Sequence, residues 1–477
     1  SHTVNGGDVS IVAKDAGDLL AASAGRGGAG STFSLVGSGT LHFSRSVVEA
    51  QVSFAEINEG GDVTLEAELT GATVAVAGSL AREVAEEARE EQLGDDNDET
   101  AQDYIDDVNP LADDTPIPDE GEGDAGAGAG DDPQEEENSD SIGVGITYAQ
   151  NTRVETVRAE VYQTNVEANS LELDAKNARQ IDGVAAATGD DPKIGISASV
   201  VVNVLTQTTE ARIAGSGATP MQLDIAESVD LLAENTSDAG ITVGFSGAGS
   251  AFALGITGGA QVDRRTTTGA VEYVTGDVDG IRSRARHTGV ADIPLTSGLA
   301  SNNEGDEDGG FAVNIPISIL TTNWETRAVI DDTNLNSSGG VEVDALEDAQ
   351  VKNRQGAVTA SGNIAGSVGV ALTNYNADTV AEITDSNLSG VNVVAQATTQ
   401  SLLRAVAVRD GETKYGIDVI TAILKGNGET RAQIDDSAVT ASKIVITARC
   451  YSQFDQRHRL FALVAFPSDP GERDEHV

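Results

Sequence analysis

Three aspartates carry the clearest candidate chemistry in this chain. Asp332, Asp385 and Asp436 each stand beside a hydroxyl residue (Thr333, Ser386, Ser437), and each follows an alanine by four positions (Ala328, Ala381, Ala432). Carboxylates at equal offsets from a repeated residue stack if the repeats stack, and Ca²⁺ takes carboxylate and carbonyl oxygens as ligands. The competing reading is conformational: Asp-Ser/Thr makes a corner through side-chain to backbone hydrogen bonds, and this explanation needs no ion. Asp306 and Asp308, in the run DEDGG, are a second calcium candidate, although no twelve-residue calcium loop surrounds them. Asn235, Asn336 and Asn387 each open an N-x-S/T triplet, the acceptor pattern for N-glycosylation in a secreted protein.

Other chemistry is hard to find. The five histidines (His2, His42, His287, His458, His476) show no metal-binding spacing, and the single Cys450 cannot build a zinc site of the usual kind. Cys450 is expected to be a small buried hydrophobe, and His42 to be packing or surface. GEGDAG at 121–126 spells G-x-G-x-x-G but lies among carboxylates, which would repel a pyrophosphate. No P-loop or strand-borne nucleophile elbow is present.

The elements that must position these residues are repeats. TVAEITDSNLSGVNVVA, residues 379–395, has counterparts that end at Ala67, Ala175, Ala226, Ala285, Ala345 and Ala448. The first alanines of the copies (Ala50, Ala159, Ala211, Ala270, Ala328, Ala381, Ala432) are separated by 109, 52, 59, 58, 53 and 51 residues. A fixed period means stacked units that bury their apolar faces only against one another. Strict alternation of Ala/Ile/Val with Glu/Gln/Arg makes the unit β. The fold class is therefore all-β, a β-solenoid of about seven imperfect repeats of 51–59 residues with one acidic insertion. A coil usually closes with two or three strands, so each repeat is expected to supply two or three coils, a rod on the order of 70–100 Å at ~4.8 Å per coil.

Four regions follow. Residues 1–80 hold the first repeats and begin mid-repeat, because GGDVSIVA matches a second half; the chain is therefore expected to be a section of a longer precursor. Residues 81–141 are an acidic insertion, entered through a short amphipathic helix at 79–93 that Ser79 caps. Within 81–140 there are 24 acids against two arginines, a net charge of −22. Residues 142–448 resume the repeats, and 449–477 form a C-terminal cap or joining segment whose cluster of Arg457, His458 and Arg459 is basic.

A formal charge of −48 argues against nucleic acid and anionic membranes as partners. No membrane-spanning run or secretory signal is present. Such acidity suits a protein kept soluble by hydrated carboxylates, as in high salt, or one that holds divalent cations. Fifty-three glycines and 4% aromatic residues suit thin coils filled by Ala, Val and Ile.

Long Val/Ala strand, Asn/Thr corner, A-x-I, D-S/T turn and V-x-V-x-A, as at 369–395 and 417–448, resemble the repeats of very large bacterial surface adhesins of the filamentous-haemagglutinin-like β-solenoid kind. That resemblance implies an elongated, non-catalytic protein at the cell surface or outside the cell, used for attachment or as a fibre. Self-association into a filament, or stacking on neighbouring repeats of a longer precursor, is the expected partnership, with surface glycans as possible ligands and Ca²⁺ as the candidate cofactor. The alternatives are a β-helical polysaccharide-degrading enzyme and a calcium-dependent glycan-binding module. The enzyme needs a groove of clustered Asp, Arg or Lys with stacking aromatics on a few coils.

Overall fold

The computed structural model describes residues 2–25, 33–78, 142–188, 193–248, 251–301, 310–410 and 413–459. All of its elements are strands, and the ladders between them are parallel. The chain runs along one wall of the solenoid to a tight corner and returns along a second wall. β1 (His2–Asp15) and β2 (Leu19–Ser23) belong to the return wall. β3 (Phe33–Ser53) approaches the corner at Phe54, and β4 (Ala55–Gly78) returns. β5 (Ile142–Tyr162) stacks on β3, while β6 (Asn165–Ala168) and β7 (Ser170–Thr188) stack on β4.

The next coil is β8 (Ile194–Ala214), β9 (Met221–Asn235) and β10 (Asp238–Ala248), followed by β11 (Phe252–Glu272) and β12 (Val274–Ser301). Then come β13 (Phe311–Asp331) and the short β14 (Asn334–Ser337). β15 (Gly340–Thr384) is unbroken: its first half is a return strand and its second half the next approach strand. β16 (Asn387–Asp410), β17 (Thr413–Asp435) and β18 (Ala438–Arg459) complete the stack.

The register corrects the sequence reading on one point of scale. Ala50 pairs with Ala159, and Ala159 with Ala211, so one repeat is one coil, not two or three. Approach strands are 21 residues long where β3, β5, β8, β11 and β13 run, because the alternation continues through stretches that short strands would have divided. The return wall carries a column of alanines, Ala13, Ala67, Ala175, Ala233, Ala285, Ala345, Ala397 and Ala448. Its seven steps of ~4.8 Å make a stack roughly 34 Å tall, with walls roughly 70 Å wide. The molecule is a slab.

Three markers shift by register. The return column passes through Ala233 rather than Ala226, and through Ala397 rather than Ala395. In the approach wall Gly269, not Ala270, pairs with Ala211 and Ala328. A Cβ on Gly269 would lie 2.7 Å from the Arg284 carbonyl oxygen, which only glycine accommodates. A slip of one residue reverses every side chain between faces, so these offsets matter. β1 pairs with β4 of the return wall, and the ladder continues past 448 to Arg459 without a break. The expected helix at 79–93 and most of the acidic insertion lie outside the described residues.

Alternation places Ala, Val, Ile and Leu between the walls next to the corner. Val157, Ala159 and Val161 of β5 lie in one buried cluster with Leu171, Leu173 and Ala175 of β7, and successive coils repeat the arrangement. At ~0.8 kcal/mol per buried CH₂, this column supplies the main cohesion of the corner half. A second cluster, around Trp324 and Tyr375, lies farther from the corner.

Candidate functional site

The corner is built from residues with left-handed backbone. Phe54, Gln163, Tyr273, Asp332, Asp385 and Asp436 have φ between 46° and 55°. Asp tolerates this region better than Phe or Tyr, which is a reason for the aspartates in the last three corners. Each corner N–H crosses to a neighbouring coil: Asp332 donates to the Thr384 carbonyl at 3.2 Å and Asp385 to the Asp435 carbonyl at 3.3 Å. The hydroxyls beside them extend the link. Ser386 Oγ accepts the Thr333 N–H at 3.2 Å and donates to its own Thr384 carbonyl at 2.6 Å. Ser437 repeats both bonds, with the Ser386 N–H at 3.1 Å and the Asp435 carbonyl at 2.7 Å.

Asp332, Asp385 and Asp436 therefore do stack, but the corner is closed by backbone and hydroxyl groups, as the conformational reading expected. Desolvation and the neighbouring carboxylates, Asp332 first, raise the Asp385 carboxyl above its usual range. Among the described residues, no group of three or more His, Cys, Asp or Glu side chains converges to hold a metal ion. Asp306 and Asp308 lie outside the described residues.

The sequons separate. Asn336 and Asn387 are on the surface, where their amides donate to Asp277 and Asn334. Asn235 is fully buried, its amide donating to Gln207 at 3.4 Å and its Oδ1 accepting the Ser237 N–H at 3.0 Å, so the folded chain leaves no room for a glycan there. Cys450 is exposed, contrary to expectation. It lies on β18, the outermost described strand of the return wall, opposite Thr399 of β16, and no further coil lies over it among the described residues.

Sequence reasoning missed a buried polar spine that crosses the coils between the two clusters. Arg153 donates to Glu155 Oε1 at 3.1 and 2.7 Å, and Gln207 Nε2 to Glu155 Oε2 at 2.7 Å. Arg179 reaches down to the Thr70 carbonyl at 3.2 Å and to the Gly17 carbonyl. Arg265 makes a fork to Asp263, at 2.9 and 2.6 Å, and stands 5.2 Å from the Trp324 ring. His287 packs edge-on against Trp324, and Trp324 against Tyr375. Tyr375 donates to Glu347 at 2.5 Å, and a hydroxyl relay continues through Thr379, Thr399 and Thr430.

Burial controls the titration of this spine. Desolvation, with Arg265 nearby, drives His287 well below the usual histidine range, so it is neutral. Desolvation pushes the Glu347 carboxyl up to about 8 against the opposing bonds from Tyr375 and Thr379. Desolvation also lowers His42, beside Arg153. With Glu347 protonated, three guanidiniums face two carboxylates, an interior of opposite sign to the chain as a whole. The one available signal was the set of inward-parity charged residues in β5 and β11: Arg153 and Glu155, then Asp263 and Arg265, stand two apart on the buried face. The acids and bases so assembled are enclosed, without a surface on which a polymer substrate could lie.

On the outer side of the return wall lies an open polar depression. Asp344, Gln350, Gln396, Gln400, Arg449 and Tyr451 line it across three coils. No protein-family model matches this chain, and no curated protein or solved structure is significantly similar to it.

Proposed function

We propose that this chain is a structural, non-catalytic segment of an extracellular filament or of the stalk of a giant adhesin. One observation carries the reading: the backbone ladder runs from coil to coil and, among the described residues, ends in open parallel edges. On β18 the side chains of Ile444 and Ile446 are about half exposed (48% and 50%). Unpaired edges of this kind accept a further strand. The next coil, from the same precursor or from a second copy, continues the stack. The buried position of the acid and base pairs speaks against the polysaccharide-degrading alternative.

Electron microscopy of the protein with and without chelator tests this. Filaments with an axial repeat of roughly 35 Å, the height of one stack, support end-to-end assembly, and their loss with chelator makes carboxylates such as Asp332, Asp385 and Asp436 the joints. Isolated slabs in both samples support a stalk segment. Turnover of any polysaccharide in a substrate panel overturns the non-catalytic reading.

The polar depression favours a second reading, a glycan-binding surface, since amides, carboxylates and an exposed tyrosine suit sugar hydroxyls and rings. Calorimetry against a glycan panel separates it, with Gln400→Ala and Tyr451→Ala abolishing any heat that belongs to this site.

A further inference from the structure

The outer face of the approach wall divides in two. Near the corner it is charged, and several of the charges are matched within the chain. Arg158 bridges Glu49 and Glu210, Arg212 reaches Glu160 and Glu272, and Arg327 and Arg431 share Glu382. Farther from the corner the outward positions change character. Read at every second residue, 194–204 is Ile, Ile, Ala, Val, Val, Val, and 252–262 is Phe, Leu, Ile, Gly, Ala, Val. Positions 311–319 give Phe, Val, Ile, Ile, Ile, and 364–372 give Ile, Gly, Val, Val, Leu.

The pairing register aligns these runs side by side. Across the four rows from Leu35 to Leu41 and their partners on β5, β8, β11, β13 and β15, no outward position is charged. Ile146, Ile317 and Val368 on this face are 48%, 40% and 49% exposed. Parallel sheets are ordinarily covered on both faces, and no helix lies among the described residues to cover this one.

We propose that this face packs laterally against the same face of a second copy of the chain. The four rows at ~6.6 Å and six strands at ~4.8 Å span roughly 760 Å². That exceeds the ~300–600 Å² of the largest apolar patch on a typical monomer and matches the ~800 Å² that each partner gives to a standard interface. The face itself carries no charge, so it asks for no counter-charge there. A grid of mostly apolar side chains interleaved with glycine offers the same chemistry to a second copy, and two such sheets pack ~10 Å apart. An isologous pair of this kind closes and leaves the solenoid ends free. With −48 charges on each copy, screening by salt strengthens the pairing.

Sedimentation equilibrium of the full chain in low salt and in 1 M NaCl tests the pairing. The expected result is a dimer whose dissociation constant falls as salt rises. Ile317→Glu with Val370→Glu weakens it at least 100-fold. Ile317→Thr with Val370→Thr, which keeps β-branched residues on the strands, weakens it at least 10-fold without moving the thermal midpoint. Ile444→Lys with Ile446→Lys, at the open edge of β18, leaves the lateral dimer intact and blocks only end-to-end growth, so the two assemblies are told apart.

A monomer at every salt and concentration overturns the proposal, as does a dimer sensitive to the edge pair and indifferent to the face pair. Dimerisation that appears only after deletion of 81–140 assigns the face to that segment instead. A monomer that binds phosphatidylcholine vesicles through Ile317 and Val370 assigns it to a lipid surface.

Discussion

The two halves of the interior are filled by opposite means. Next to the corner, each coil repeats the same small apolar residues, and cohesion comes from Ala, Val, Ile and Leu in columns. Beyond it, one column changes its side chain on every coil: Glu155, Gln207, Arg265, Trp324 and Ala377 follow one another. Repetition makes the first half tolerant, since each contact has several equivalents above and below. The second half is specific, because its polar groups depend on particular partners, on the same strand as with Asp263 and Arg265 or one coil away as with Glu155 and Gln207. A stack of identical coils has no preferred register, and the spine supplies one.

Substitutions separate the two halves most sharply at Arg265. Arg265→Ala leaves Asp263 buried without its partner and opens space beside Trp324, and it should lower unfolding stability by about 3–5 kcal/mol. Replacing both, Asp263→Leu with Arg265→Met, should recover most of the loss in the same urea titration. Equal loss in the single and double variants would mean that packing, not charge pairing, holds the spine together.

Glu347 makes the spine sensitive to pH. Its folded pKa, about 8, lies above the ordinary glutamate value of 4.5, so the native state binds the extra proton. The stability tied to that proton is fully present below about pH 4.5 and is lost as pH rises through about 8. At roughly 1.4 kcal/mol for each tenfold change in proton affinity, a few kcal/mol are at stake. Glu347→Gln should flatten this part of the stability profile between pH 5 and pH 9, and a profile parallel to that of the unaltered protein would remove Glu347 from the account.

The corner effects are smaller. Ser386→Ala removes one acceptor and one donor and strands the Thr333 N–H, at a cost of roughly 1–3 kcal/mol, readable as a lower urea midpoint. Ile383→Val, in the repeated apolar column, should cost only roughly 0.5–1.5 kcal/mol. If Ile383→Val cost more than Ser386→Ala, the apolar half would be the specific one and the comparison would reverse.

Period, parallel stacking and the hydroxyl corner were legible, because each is written in residues a few positions apart and repeated along the chain. Even the misplaced markers show this, since Ala226, Ala270 and Ala395 fail where a bend or a glycine offsets the pattern by a few residues. The length of one coil was not legible: alternation tells which face a residue takes but not where a strand turns. The burial of Asn235 and the exposure of Cys450 were equally hidden, one depending on a coil above and the other on lying in the last described coil.

Local alternation and turn chemistry thus settled that this chain forms a β-solenoid. Which polar and aromatic groups meet between coils was left to the stacking, since Arg265 and Trp324 stand 59 positions apart and become neighbours only when one coil closes on the next. A contact between coils depends on the summed length of every loop and bend in the turn, and no short stretch of sequence contains that sum.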